Sequence, residues 1–243
     1  MRVSANYCAM STLPDSASNP TLAGTIDQVA EASFLGRKIP AGRRRAAARL
    51  IAGRLGLPGG YAGAFAEITA ELPRTVRVFT GENLGRNARR RHVLAEEACR
   101  SLRLLGRTTA HVSIALKTAD DRLLAQIAHV RERHPDTPRG TFCCPFCTVS
   151  VWRNATAGGL RTFTPELAAG LRQLRSRRDT AGGWRTYPFF YTLSALLEID
   201  LPAARAELHH AAPRCARLLL SLRAIPPYAE RRRELMRRVL AVA

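Results

Sequence analysis

Cys143-Cys144-Pro145-Phe146-Cys147 places three thiols within five residues. Thr148-Val149-Ser150 continues as a helix, so Cys144 and Cys147 stand about one turn apart at its start. The positive end of a helix favours thiolate over thiol. Thiolates at this spacing can hold zinc, but a tetrahedral site needs a fourth ligand, and the chain has no second Cys-x-x-Cys. His134, His92 and Cys99 are the candidates to close the set. The competing arrangement is packing, with cysteine as a small apolar filler between helices. Packing with no cofactor is the expectation, and zinc is the alternative.

A second group lies within one helical turn: His92, Glu96 and Glu97. His92 and Glu96, four apart, share a face and suit an acid/base pair or metal ligation. Ordinary helix pairing is the expected use, with Glu96 also facing Arg100. Gly81-Glu82-Asn83-Leu84-Gly85-Arg86-Asn87 is a glycine-bearing loop before a helix, where a phosphate could sit. It has no preceding strand and no Lys-Ser/Thr pair, so it does not define a nucleotide site. The rings of His209 and His210 diverge on a helix. Trp184, Tyr187, Phe189, Phe190 and Tyr191 hold much of the aromatic content. With Trp152, all of these but Phe189 are the candidates for lining a pocket; a place in the core between helices is their expected use.

The elements that must position these residues are helical. Arg43 to Leu55 and Tyr61 to Leu72 read as helices on either side of Leu57-Pro58-Gly59-Gly60. Leu94, Ala98, Leu102 and Leu105 form one stripe, and Leu123, Leu124, Ile127 and Val130 another. Thr164-Pro165-Glu166 is a helix start with a threonine cap, a first-turn proline and an acid near the positive end. Pro202 starts a helix that Pro213 ends; Cys215 to Leu222 resumes, and a last helix follows Pro226-Pro227. Thr75 to Phe79 and His111 to Ile114 alternate briefly, as short extended segments would. The class is all-α. Residues 1–25 read as a disordered lead-in and residues 26–243 as one helical domain, with N-terminal helices over 26–80 and paired helices over 81–243.

The chain repeats itself. Gly140-x-Phe142 recurs as Gly182-x-Trp184, Pro145-Phe146 as Pro188-Phe189, and Thr148-Val149-Ser150 as Thr192-Leu193-Ser194. Tyr187, Phe190 and Tyr191 fall near the cysteine positions, which favours packing there. A basic helix precedes each copy. A unit of about 40–45 residues made of paired helices is the mark of a helical array. Gly170-Leu171-x-x-Leu174-x-x-x-Arg178-Asp179-Thr180-Ala181-Gly182-Gly183-Trp184 resembles the Gln-x-x-x-Gly-x-Trp repeat of the α/α-toroid superfamily, which includes terpenoid cyclases and protein prenyltransferases. Arg178 stands in place of the usual glutamine and Gln173 in place of an aromatic. With the weaker copy at 130–142, the resemblance spans about a third of the chain. It implies αα-hairpins in a ring or open arc, with inner helices facing a cavity. The family's chemistry has no counterpart: Ala119-Asp120-Asp121-Arg122 only grazes the cyclase acid motif, and no Asp, Cys and His zinc set is evident. Cys-Pro-Phe-Cys also resembles a glutaredoxin active site, but that fold needs a βαβ unit where 125–134 reads as helix.

The chain has 243 residues, 38 Lys+Arg against 19 Asp+Glu, a formal charge of +19 and 46% hydrophobic residues. This excludes a wholly disordered or fibrous chain. Lys38 and Lys117 are the only lysines, a skew towards arginine that a GC-rich coding bias would produce. The surface nonetheless suits an anionic partner such as nucleic acid. The arginine triplets at 43–45, 89–91 and 231–233 sit at helix starts or outer faces. No apolar run reaches transmembrane length and no secretory h-region opens the chain, so a cytoplasmic, reducing setting and free thiols are expected. Three functions follow: a helical-repeat binding or interaction module first, then a toroid enzyme on an apolar, prenyl-type substrate, then a basic nucleic-acid-binding array.

Overall fold

Thr21 and Glu71 open the first helix together. The Thr21 hydroxyl accepts the Gly24 N–H at 3.0 Å. The Glu71 carboxylate accepts those of Leu22 at 3.0 Å and Ala23 at 2.9 Å. Three of the four donors that a helix start leaves without intrahelical partners are thereby met. The computed structural model describes residues 20–86, 88–106, 109–160, 163–222 and 226–243. Among them are nine α-helices and no strand: α1 (Leu22–Phe34), α2 (Ala41–Ala52), α3 (Ala88–Leu104), α4 (Ala110–Arg133), α5 (Pro145–Thr156), α6 (Thr164–Arg175), α7 (Phe189–Glu198), α8 (Pro202–Ser221) and α9 (Tyr228–Val242). The fold is all-α, as the periodicity predicts. The expected lead-in lies outside the described residues up to 19, and α1 starts three residues before its expected end.

α3 is the centre of the packing. It touches α1, α2, α4 and α5; α5 then packs on α7, and α7 on α8 and α9. Every residue of α3 from His92 to Leu102 is buried. A helix that carries His, Glu and Arg yet is buried on all sides must pair those groups internally, because an unpaired buried charge is costly. That requirement creates the site.

Several local expectations are corrected. Residues 61–72 form no α-helix: Tyr61–Gly63 and Thr69–Glu71 are single 3-10 turns joined by an extended stretch. The carbonyls a helix would use are taken by guanidinium groups. Arg54 donates to the carbonyls of Ala66 (2.9 Å) and Glu67 (2.7 Å), and Arg90 to that of Glu71 (2.8 Å). Residues 111–114 lie inside α4, whose start is capped by Thr109. Arg77 pairs with Asn83 only as an isolated bridge across a turn. α8 runs through Pro213, because buried Glu207, Leu208, Ala211 and Cys215 hold it on both sides of the proline.

The two units predicted from the repeat share their second helices, α5 and α7, which pack on one another. Their first helices go to different neighbours, α4 to α2 and α3, α6 to α8. Leu174 is fully buried and Val130 half-buried, so the two positions differ in environment.

The first repeat's loop is pinned at Gly140. Its φ is +74°, its N–H donates to Glu166 Oε2 at 3.0 Å and its carbonyl accepts Trp152 Nε1–H at 2.8 Å. A Cβ there would lie 2.0 Å from the Glu166 carbonyl oxygen and 2.3 Å from the Gly170 nitrogen. Gly36 has a φ of +66° with nothing within 4 Å of a Cβ. Gly36→Ala is therefore expected to cost only the backbone strain, about 1 kcal/mol. Gly140→Ala should cost at least about 2–3 kcal/mol more, as other overpacked positions do. Urea midpoints measure both, and equal costs would show that the close approach at Gly140 does not matter.

Candidate metal centre

α5 begins by using a cysteine as its cap. Cys144 is extended, with φ −159° and ψ 164°, and its Sγ accepts the Cys147 N–H at 3.4 Å. Pro145 follows at a position where the missing N–H costs nothing. Thr148 fixes the approach, accepting the Phe142 N–H at 2.9 Å and donating to the Cys144 carbonyl at 3.0 Å. The result sets Cys144 Sγ 3.3 Å from Cys147 Sγ. α3 supplies the fourth group: His92 Nδ1 lies 3.7 Å from Cys143 Sγ. The donor atoms of His92, Cys143 and Cys147 all lie within 4.8 Å of one another.

The packing expected for these cysteines is therefore incomplete, because an imidazole nitrogen faces the thiols. Cys147 does reach the core, and Cys143 is exposed with Cys144 between them. Four donors about 2.3 Å from a zinc ion stand about 3.7 Å apart; His92, Cys143 and Cys147 fall within 4.8 Å of one another, and Cys144 adjoins them through Cys147 at 3.3 Å. The donor set of three sulfurs and one imidazole is one that structural zinc takes.

His92 is held on two further sides. Its Nε2 lies 3.3 Å from Glu96 Oε1, and Tyr61 stacks on its ring at 4.0 Å and 11°. Glu96 is fully buried and accepts Asn154 Nδ2–H at 2.6 Å. A carboxylate behind a histidine is the usual outer partner of a metal-binding imidazole. Burial opposes charge on His92, but Cys143 and Glu96 overrule it and the ring is pushed up to about 9. Hydrogen bonds from Cys144 and Cys147, then His92, hold the Cys143 thiol well below its ordinary value. Cys147 is pushed up by the neighbouring Cys143 and Cys144 and by burial.

The other candidates separate. His134 ends α4, exposed, outside the cluster. Cys99 is buried on α3, its thiol raised by burial, Asp120 and Glu96. Glu96 does not face Arg100 as expected. Arg100 pairs instead with Glu198 (2.7 Å) and more distantly with Glu97 (3.8 Å). Glu97 accepts Tyr191 Oη–H at 2.6 Å and contacts Arg153 Nε at 2.8 Å. Trp152, Trp184 and Tyr191 are buried in the core, Tyr187 stacks on Trp152, and Phe190 lies half-buried under Arg232. A cleft of about 540 Å³ has other walls, among them Phe34, Leu104, Leu197, Arg100 and Glu198. The 81–87 loop caps a helix instead of cradling a phosphate: Glu82 Oε1 accepts the Tyr191 N–H at 2.9 Å in the first turn of α7. Asn87 lies outside the described residues.

Two arginine triplets are partly internal. Arg90 pairs with Glu67, and Arg231 grips Asp27 through two bonds of 2.8 Å. Arg43, Arg44 and Arg45 are exposed. Among the described residues no helix is long and apolar enough to cross a membrane, and the five described cysteines are free. Among the described residues there is no strand, which a glutaredoxin site requires. Fold and site together define an all-α protein with a His/Cys cluster that runs from the core to the surface. Comparison of the chain with models of protein families, with curated proteins and with solved structures finds no match.

Proposed function

We propose that this chain is a zinc-binding helical protein acting as a binding module, in which the metal ties α3 to the start of α5. The observation that carries this is His92: its Nδ1 lies 3.7 Å from Cys143 Sγ in a cluster that includes Cys147, with Cys144 Sγ beside Cys147, and its Nε2 is backed by a buried carboxylate. All four ligands come from the protein, which suits a structural centre over one with an open catalytic position. The helical-repeat, toroid-like arrangement remains part of this proposal, supported by the packing of α5 on α7 and the matched loops before them. Protein purified under reducing conditions should carry one zinc per chain, lost in Cys144→Ser and Cys147→Ser. Metal far below one per chain would sink the proposal.

A second partner is suggested by a cleft of about 490 Å³ between the end of α6 and the start of α8. It is lined by Arg175, Arg178, Arg205 and His209 with Pro202 and Ala206. Arg178 is engaged by buried Glu207, while Arg175 and Arg205 are exposed. Such a cleft suits the phosphates of single-stranded nucleic acid. An oligonucleotide should bind at about 50 mM salt, weakening with a log–log slope near one per phosphate contacted. Arg175→Glu with Arg205→Glu should lower both affinity and slope. No binding at that salt would remove this partner.

A further inference from the structure

Behind His92 runs a line of hydrogen bonds whose direction is set by chemistry. Arg103 Nη1 donates to Asn154 Oδ1 at 2.6 Å, Asn154 Nδ2 donates to Glu96 Oε2 at 2.6 Å, and Glu96 Oε1 lies 3.3 Å from His92 Nε2. At the far end Asp120 accepts from Arg103 Nη2 and anchors the guanidinium. A guanidinium has donors and no acceptor. The Asn154 amide must therefore turn its oxygen to Arg103 and its nitrogen to Glu96. This settles an orientation that side-chain shape alone leaves open. As a carboxylate Glu96 only accepts, so the Nε2 of His92 carries the proton between them. Nδ1 is then the nitrogen presented to Cys143.

The junction is tightly enclosed. Asn154 and Glu96 are fully buried. A Cβ on Gly159 would stand 2.6 Å from Asn154 Oδ1 and 2.9 Å from Arg103 Cζ, so backbone closes directly over it. Swinging the amide away would strand a buried donor or acceptor, which is costly.

We propose that Asn154, oriented by Arg103, is a positioning residue: through Glu96 it holds the Nε2–H of His92 and leaves Nδ1 facing Cys143 as the nitrogen that gives up its proton when a metal binds. The orientation stands on the hydrogen bonds alone; the metal-binding consequence rests on the zinc proposal above. The test uses the full chain, reduced, with two readouts. In metal-free protein, His92 Nε2–H should give a downfield, exchange-protected proton in nitrogen-15 spectra. Asn154→Leu and Asn154→Asp should lose it, and Arg103→Lys, which still donates, should keep it. With cobalt(II) as the probe, chelator competition should show affinity reduced about 10–100-fold in both Asn154 variants. The thiolate-to-cobalt bands should stay in place, because the ligands are unchanged, and Arg103→Lys should bind close to wild type. Asn154→Asp keeps the side-chain shape and guards against a merely unfolded Asn154→Leu. A protected proton in wild type with no cobalt bound would overturn the zinc proposal and leave the positioning role standing. Absence of that proton from wild type, or its survival in both Asn154 variants with wild-type cobalt affinity, would overturn the positioning role.

Discussion

Chelation of the proposed zinc should lower the thermal unfolding midpoint of the wild-type chain by about 8–16 °C. The figure follows from linkage. At free zinc about a thousandfold above its dissociation constant, binding to the folded state alone adds about 4 kcal/mol. A chain of this length shifts by about 2–4 °C per kcal/mol. The site can deliver that stabilisation because it joins parts of the chain far apart in sequence: His92 on α3, and Cys143 to Cys147 at the start of α5. Cys147→Ser should start at the chelated midpoint and be indifferent to chelator. Comparing the two separates metal loss from the altered packing of a buried side chain. Cys215→Ser, in a buried thiol on α8, should respond to chelator as the wild type does. A wild-type midpoint unmoved by chelator would mean that the four groups meet without a metal between them.

Half of this centre was legible in the sequence. Cys144-Pro145-Phe146-Cys147 announces two sulfurs at a helix start by spacing alone, and that is where they stand. His92 was one of three candidate fourth ligands, and only the fold chooses among them, because the choice depends on how α3 crosses the start of α5. The backing was illegible. No local pattern marks Asn154 for this role, and Tyr61 falls in a stretch whose periodicity predicts a helix. That prediction failed because Arg54 and Arg90 satisfy the carbonyls from a distance, and no local pattern encodes a side chain arriving from elsewhere. The same blindness applies to Glu71 and Glu82, which cap helices 49 and 109 residues away. Periodic stripes were dependable where burial is one-sided, as for Leu167, Leu171 and Leu174 on α6. The charge count misled in part, since Arg90, Arg153 and Arg231 are buried and paired.

Arg153→Met should cost about 3–5 kcal/mol at neutral pH, the usual effect of stripping one partner from a buried ion pair. Arg153 is buried between Glu97 (2.8 Å) and Glu198 (3.4 Å), donates to Ser194, and lies 5.3 Å from the Tyr191 ring centre. Methionine fills much of the volume but leaves Glu97 with only the more distant Arg100 and the Tyr191 hydroxyl. Burial alone would raise the Glu97 carboxyl, but Arg153 and then Arg100 hold it below its ordinary value. In the wild type, then, this group adds stability that is fully present above the ordinary glutamate range and is lost as pH falls through the depressed value. Without Arg153 the burial effect dominates and the folded-state value rises above the unfolded one. The sign reverses: the folded variant now binds the extra proton and gains stability as pH falls. The penalty for Arg153→Met should therefore shrink between pH 7 and pH 5, read as the difference in urea midpoints between variant and wild type. Adding Glu97→Leu removes the stranded charge and should recover part of the loss even at pH 7, because an apolar replacement of a buried pair is often close to neutral. A penalty below about 1 kcal/mol, or one equal at both pH values, would show that Arg153 is not what stabilises the buried Glu97 charge.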